Sequence, residues 1–98
     1  ISRRGGRGYL CFNGYTACCI TNSKIGLCGG DGTVSVFAMS GAALGVTLKG
    51  LLYPLENTEL DYSFPLGTSN EFTDSPAEIS VKNGTVLIIW QGGRELAE

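Results

Sequence analysis

The sequence predicts an all-β fold, a small antiparallel β-barrel or sandwich of about eight short strands stapled by two disulfides near the N-terminus. Three observations lead there. Short runs rich in β-branched and aromatic residues alternate with Gly, Asn and Pro turn signals, and the 98 residues include fifteen glycines. No stretch sustains a helical period with caps at its ends. All four cysteines fall between Cys11 and Cys28, an even, clustered set that suits disulfides in an exported chain. Hydrophobic residues make up 43% of the chain, enough for one modest core and therefore one domain.

Residues 1–8 are glycine-rich and carry Arg3, Arg4 and Arg7, so they read as a flexible basic tail with a dibasic pair. Residues 9–98 read as the single disulfide-stapled domain. The chain does not start with Met, which suits a processed mature form. Charge is uneven. Residues 1–30 hold four basic residues and no acid, whereas residues 31–98 hold three basic and nine acidic residues. That acidic body argues against nucleic-acid binding. No apolar run is long enough to span a membrane.

Two short strands, 9–12 and 15–20, flank Asn13-Gly14. A third, 25–28, follows the turn residues Thr21, Asn22 and Ser23. Cys18 and Cys19 are adjacent, and in a strand they point to opposite faces, so a bridge between them is disfavoured. Cys11 is expected to pair with one of this doublet and Cys28 with the other, each bridge contributing about 2–3 kcal/mol. Zinc sites place cysteines two to four residues apart, a spacing absent here, so no metal or cofactor site is assigned.

After the break at residues 29–32, Val34, Val36 and Ala38 alternate with Thr33, Ser35, Phe37 and Met39. Ser40-Gly41 reads as a turn, and Leu44, Val46 and Leu48 then alternate with Ala43, Gly45, Thr47 and Lys49. A turn at Glu56, Asn57 and Thr58 precedes Leu60, Tyr62 and Phe64, and residues 66–76 form the longest loop. Next, Asn83-Gly84 separates two apolar runs, the strongest short-range hairpin signal a sequence offers. A two-residue turn there puts Ala77, Ile79, Val81, Val86, Ile88 and Trp90 on one wholly apolar face. Leu87 and Ile89 fall on the other, where the cysteine-rich segment or a partner must cover them.

The chain has no histidine, which excludes Ser-His-Asp and Cys-His nucleophile pairs. Glu56, Glu59 and Asp61 read as a solvated strand edge. The glycines at 29, 30 and 32 lack the lysine of a phosphate loop. Of Tyr53, Tyr62, Phe64 and Phe72, near the long loop, at least half are expected to pack in the core, and the others suit a binding face. These features point to a binding protein and not to an enzyme.

Residues 28–36, 43–50 with 53–55, and 88–97 resemble the bacterial C-type lysozyme inhibitors, small antiparallel β-barrels. That family's functional lysine falls on Gly92 here, with Arg94 nearby. The resemblance implies a hydrolase inhibitor acting through the 66–76 loop and residues 91–95. The residues expected to meet the partner are Thr68, Ser69, Asn70, Phe72, Gln91 and Arg94. The expected setting is secreted or periplasmic, and the expected partner is another protein or a cell-surface component. The alternative is a secreted toxin or virulence effector, of fungal or viral type, acting on a target cell surface or membrane.

Overall fold

Alternating runs do become strands, but several continue straight through their supposed turns. The computed structural model describes residues 2–4, 7–12, 14–28, 32–61, 70–73, 75–91 and 94–95. They hold ten strands: β1 (Ser2–Arg4), β2 (Arg7–Phe12), β3 (Tyr15–Thr21), β4 (Lys24–Cys28), β5 (Thr33–Lys49), β6 (Leu55–Asp61), β7 (Asn70–Glu71), β8 (Ala77–Ser80), β9 (Asn83–Gln91) and β10 (Arg94–Glu95). The fold is all-β, and the described pairs are antiparallel.

Three bent ribbons organise the sheet. Only Asn22 and Ser23 separate β3 from β4, only Val81 and Lys82 separate β8 from β9, and β5 is unbroken. The β8–β9 ribbon lies in the middle. Its β9 half pairs with β3 and the first half of β5, while its β8 half pairs with β4 and the end of β5. The sheet therefore folds over on itself, and its two layers share one core. Val34, Val36, Ile88 and Trp90 come from one layer, and Ile25, Leu27, Leu48 and Ile79 from the other.

The fold line is stitched by the backbone. Asn22 N–H donates to Gly84 O at 3.0 Å, and the Asn22 Oδ1 accepts from Gly84 N–H at 2.8 Å. Val81 N–H donates to Ser23 O at 2.9 Å, and Lys82 N–H to Leu44 O at 3.1 Å. Gly84 sits at φ 118°, and a Cβ there would lie 3.1 Å from the Ala43 Cα, so only glycine fits without strain.

The expected Asn83-Gly84 hairpin is thus corrected: β8 and β9 are successive halves of one ribbon and pair with other strands. The apolar face nevertheless holds, since Ala77, Ile79, Val81, Val86, Ile88 and Trp90 are all buried. A tight turn and this kinked crossing both shift which parity of residue faces inward, so the pattern alone does not separate them. Strands β2 and β3 do pair antiparallel as expected, with Phe12 opposite Tyr15.

In β5 the inward parity changes twice. Val34 and Val36 are buried, then Ala43, then Val46 and Leu48, while Leu44 is left 44% exposed. Ser40-Gly41 is therefore not a chain reversal. The ladder to β6 slips between Ala43 and Val46, around Gly45 at φ 65°. Likewise β6 runs through residues 56–58, where the sequence suggested a turn.

No disulfide joins Cys11, Cys18, Cys19 or Cys28, and the expected stapling is corrected. Register is the reason. Cys11 lies opposite Thr16, two rungs from Cys18, which strand spacing makes about 8 Å and beyond disulfide reach. Cys28 pairs opposite Arg94 in the other layer. Cys18 is buried in the core as a small hydrophobe, and Cys19 Sγ rests 3.5 Å from Met39 Sδ.

Residues 2–4, expected in a flexible tail, form β1 against β2. Leu87 and Ile89 are half-buried. The cysteine-bearing β3 lies beside them, with Cys19 opposite Leu87 and Ala17 opposite Ile89, and does not cover them.

Candidate functional site

Between the end of β5 and the start of β6 the chain makes a short excursion, residues 50–54, whose shape is set by a second segment. Residues 70–73 run antiparallel beside it and grip it rung by rung. Thr73 Oγ1 donates to Gly50 O at 2.8 Å, Leu51 bridges Phe72, and Leu52 N–H donates to Glu71 O at 3.0 Å. The last rung is a side chain. Asn70 Oδ1 accepts from Tyr53 N–H at 2.9 Å, and Asn70 Nδ2 donates to Tyr53 O at 2.7 Å.

The gripping segment is itself anchored. Val34 of β5 lies between Trp90 on one side and Asn70 on the other, Thr33 pairs with Glu71, and Phe72 N–H donates to Gly32 O at 3.0 Å. Phe72 and Leu51 are buried in the core, so the strap has apolar as well as polar footing. Gly50 makes the close approach possible. Its φ is 73°, and a Cβ there would fall 2.1 Å from the Pro76 carbonyl oxygen.

This strapping holds two apolar side chains out in solvent. Leu52 is 49% exposed and Tyr53 is 61% exposed. Beside them opens a pocket of about 570 Å³ lined by Thr47, Leu48, Lys49, Gly50, Pro54, Leu55 and Glu56. That volume lies in the range that holds a small organic ligand. The walls are mixed: an ammonium, a carboxylate and a hydroxyl surround aliphatic surface. Thr47 Oγ1 also accepts from Asn57 N–H at 3.1 Å, which ties the two walls of the β5–β6 hairpin together.

The residues expected to meet a partner are placed as follows. Thr68 and Ser69 lie outside the described residues. Asn70 is 1% exposed, and its amide is committed to Tyr53 and to Glu71 N–H, 3.0 Å away. Phe72 is buried. Gln91 is exposed at the end of β9, next to Trp90 and so at the same end of β5 as Asn70. Arg94 stands on the edge strand β10 of the other layer, away from that group. Register thus brings 70–72 and Gln91 to one end of the sheet and leaves Arg94 apart. The pocket walls at 47–50 and 54–56 were missed in the sequence. The one signal the sequence carries there is Pro54, which interrupts the β pattern between Leu48 and Leu60.

A family model described as thiamin pyrophosphokinase, vitamin B1 binding domain, matches residues 22–86, which include the whole pocket and its strap. Among solved structures, the chain is similar to thiamine pyrophosphokinase from Bacillus subtilis, with a TM-score of 0.79 and 20% identity over 89% of this chain and 42% of that one. It is similar also to thiamin pyrophosphokinase from Geobacillus thermodenitrificans, with a TM-score of 0.71 and 23% identity over 79% of this chain and 37% of that one. A thiamin pyrophosphokinase family protein from Enterococcus faecalis gives a TM-score of 0.68 and 18% identity over 85% and 39% of the two chains. The chain spans about two-fifths of the length of these structures. No curated protein matches it at a significant level.

These matches correct the functional expectations. The family is not that of the lysozyme inhibitors, whose likeness rested on patterns shared by many small β-barrels. A secreted inhibitor or toxin is overturned by the same finding, and with it the protein or cell-surface partner, because the matched family is named for a vitamin. The expectation of no enzyme is corrected too, since that family is a domain of a kinase. The secreted or periplasmic setting goes with the secreted inhibitor and with the disulfides that motivated it.

Proposed function

The chain belongs to the thiamin pyrophosphokinase vitamin B1 binding domain family, and from that premise we propose that it holds thiamin at the pocket between β5 and β6. The observation that carries this reading is the coincidence of the family match with a pocket whose rim is rigidly strapped by residues 70–73. Thiamin joins a permanently cationic thiazolium ring to an aminopyrimidine and ends in a hydroxyethyl arm. The pocket's chemistry suits each part. Glu56 supplies a carboxylate for the cation, and Leu48, Pro54 and Leu55 supply apolar surface for the rings. Tyr53 offers an exposed aromatic face that attracts a cationic ring beyond its area of contact. Thr47 and Lys49 supply donors toward the polar end of the ligand.

On this reading the domain's part in the kinase reaction is to bind and orient the acceptor vitamin. The transfer of the pyrophosphoryl group to it is the activity proposed for the whole kinase, whose solved relatives are more than twice as long as this chain. Isothermal titration of thiamin into the 98-residue chain tests the binding step. Saturable binding with one site per chain is expected, with choline, a cation lacking the rings, failing to compete. No heat of binding at millimolar thiamin, or displacement of bound thiamin by choline, would overturn the reading.

A further inference from the structure

Asn70 combines features that pure packing does not require. It is the one buried polar residue among the described residues, at 1% exposure, and its side chain holds the backbone of a residue that is 61% exposed. Its carboxamide satisfies both main-chain groups of Tyr53, at 2.9 and 2.7 Å, and takes a third bond from Glu71 N–H at 3.0 Å. This pattern fixes which end of the amide is oxygen, because two N–H donors meet one atom and a carbonyl meets the other. Only Asn offers a short acceptor and donor in that relation. Asp would set a carboxylate oxygen against the Tyr53 carbonyl.

We infer that Asn70 is a positioning residue for the thiamin site: it fixes the 50–54 excursion in its binding shape before ligand arrives, with the Tyr53 ring already presented. This rests on the reading of the pocket as the thiamin site. Without that clamp, the Tyr53 backbone would be unpaired beyond the Leu52–Glu71 rung, free to sample other conformations, and binding would have to order it. Asn70 touches no ligand in this role. Its contribution passes through the backbone of Tyr53.

Three variants test it on the full chain: Asn70→Asp, Asn70→Ala and, as a control for stability alone, the distant core change Ile88→Val. Amide hydrogen exchange is read at Leu52 and Tyr53 without ligand, and thiamin affinity by titration. Asn70→Ala is expected to speed exchange at Tyr53 by about tenfold or more, and Asn70→Asp to weaken thiamin binding by about tenfold while the fold is kept. Ile88→Val is expected to leave both readings unchanged once its own small loss of stability is subtracted. Should Asn70→Ala not fold, Asn70→Asp carries the exchange measurement at Leu52 as well. Unchanged exchange at residues 52–53 in a folded Asn70 variant overturns the inference, whatever thiamin does. So does wild-type affinity in both variants. If the unaltered chain fails to bind thiamin while the Asn70 variants do loosen the loop, the pocket assignment fails and the positioning of Tyr53 stands as a fact about the loop alone.

Discussion

The Asn70 carboxamide closes a ring of hydrogen bonds on Tyr53, accepting from its N–H at 2.9 Å and donating to its C=O at 2.7 Å, across seventeen positions of sequence. A side chain here does what a neighbouring strand does elsewhere. It ends the antiparallel strap between 50–53 and 70–73 at the point where the ladder would otherwise leave Tyr53 unpaired. The result is an exposed aromatic on a backbone held from beneath.

Tyr53 is therefore expected to separate binding from folding. Replacing it with Ala should change stability by no more than about 0.5 kcal/mol, because the ring is mostly in solvent. The same change should weaken thiamin binding by about tenfold through the lost ring face. Tyr53→Phe should keep most of the affinity. Paired denaturant melts and thiamin titrations on the two variants check this.

Gly50 should behave in the opposite way. Its φ of 73° and the 2.1 Å approach a Cβ would make to Pro76 O leave no room for a side chain. Gly50→Ala is expected to cost about 2–4 kcal/mol in urea unfolding, by strain and by displacement of the 75–77 backbone.

Asn22 reports on the fold line. It holds a left-handed φ of 48° and caps Gly84 N–H with its side chain at 2.8 Å. Asn22→Ala should lose both advantages and destabilise by about 1–2 kcal/mol, whereas Asn22→Gly should lose only the hydrogen bond and cost less. Thermal melts of the pair decide whether backbone or side chain matters more.

All four cysteines should be countable as free thiols. A thiol-specific reagent used without reductant is expected to count four thiols in the unfolded chain. In the folded chain Cys11, which is exposed, should react first and Cys18, which is 1% exposed, last. Adding reductant should leave the melting temperature unmoved. A rise in thiol count on reduction would contradict the unbridged structure.

Much of the fold was legible, and the places where it was not are instructive. Alternation within each run, with a parity shift at Asn83-Gly84, identified the buried face of Ala77, Ile79, Val81, Val86, Ile88 and Trp90, because burial follows the two-residue period on either side of the break whatever the strands pair with. Pairing itself was not legible. Strands β2 and β3 pair with each other as neighbours in sequence, but Asn83-Gly84 lies on the fold line, where β3 and β5 supply better partners on both sides. The cysteine cluster misled for a related reason: spacing along the chain says nothing of the rung and layer on which each thiol lands. The site was half visible. Asn70 and Phe72 were singled out from the loop, yet their importance is as supports for residues 50–54, a relation set by long-range contacts that no local pattern encodes.

Mapping where thiamin touches this chain tests the account most directly. In an amide NMR titration of the 98-residue chain with thiamin, the account predicts saturable shifts concentrated at residues 47–56 and 70–73, with β1, β2 and the outer faces of β3 and β9 unmoved. Shifts centred on β3 and β9, or none at millimolar thiamin, would contradict it.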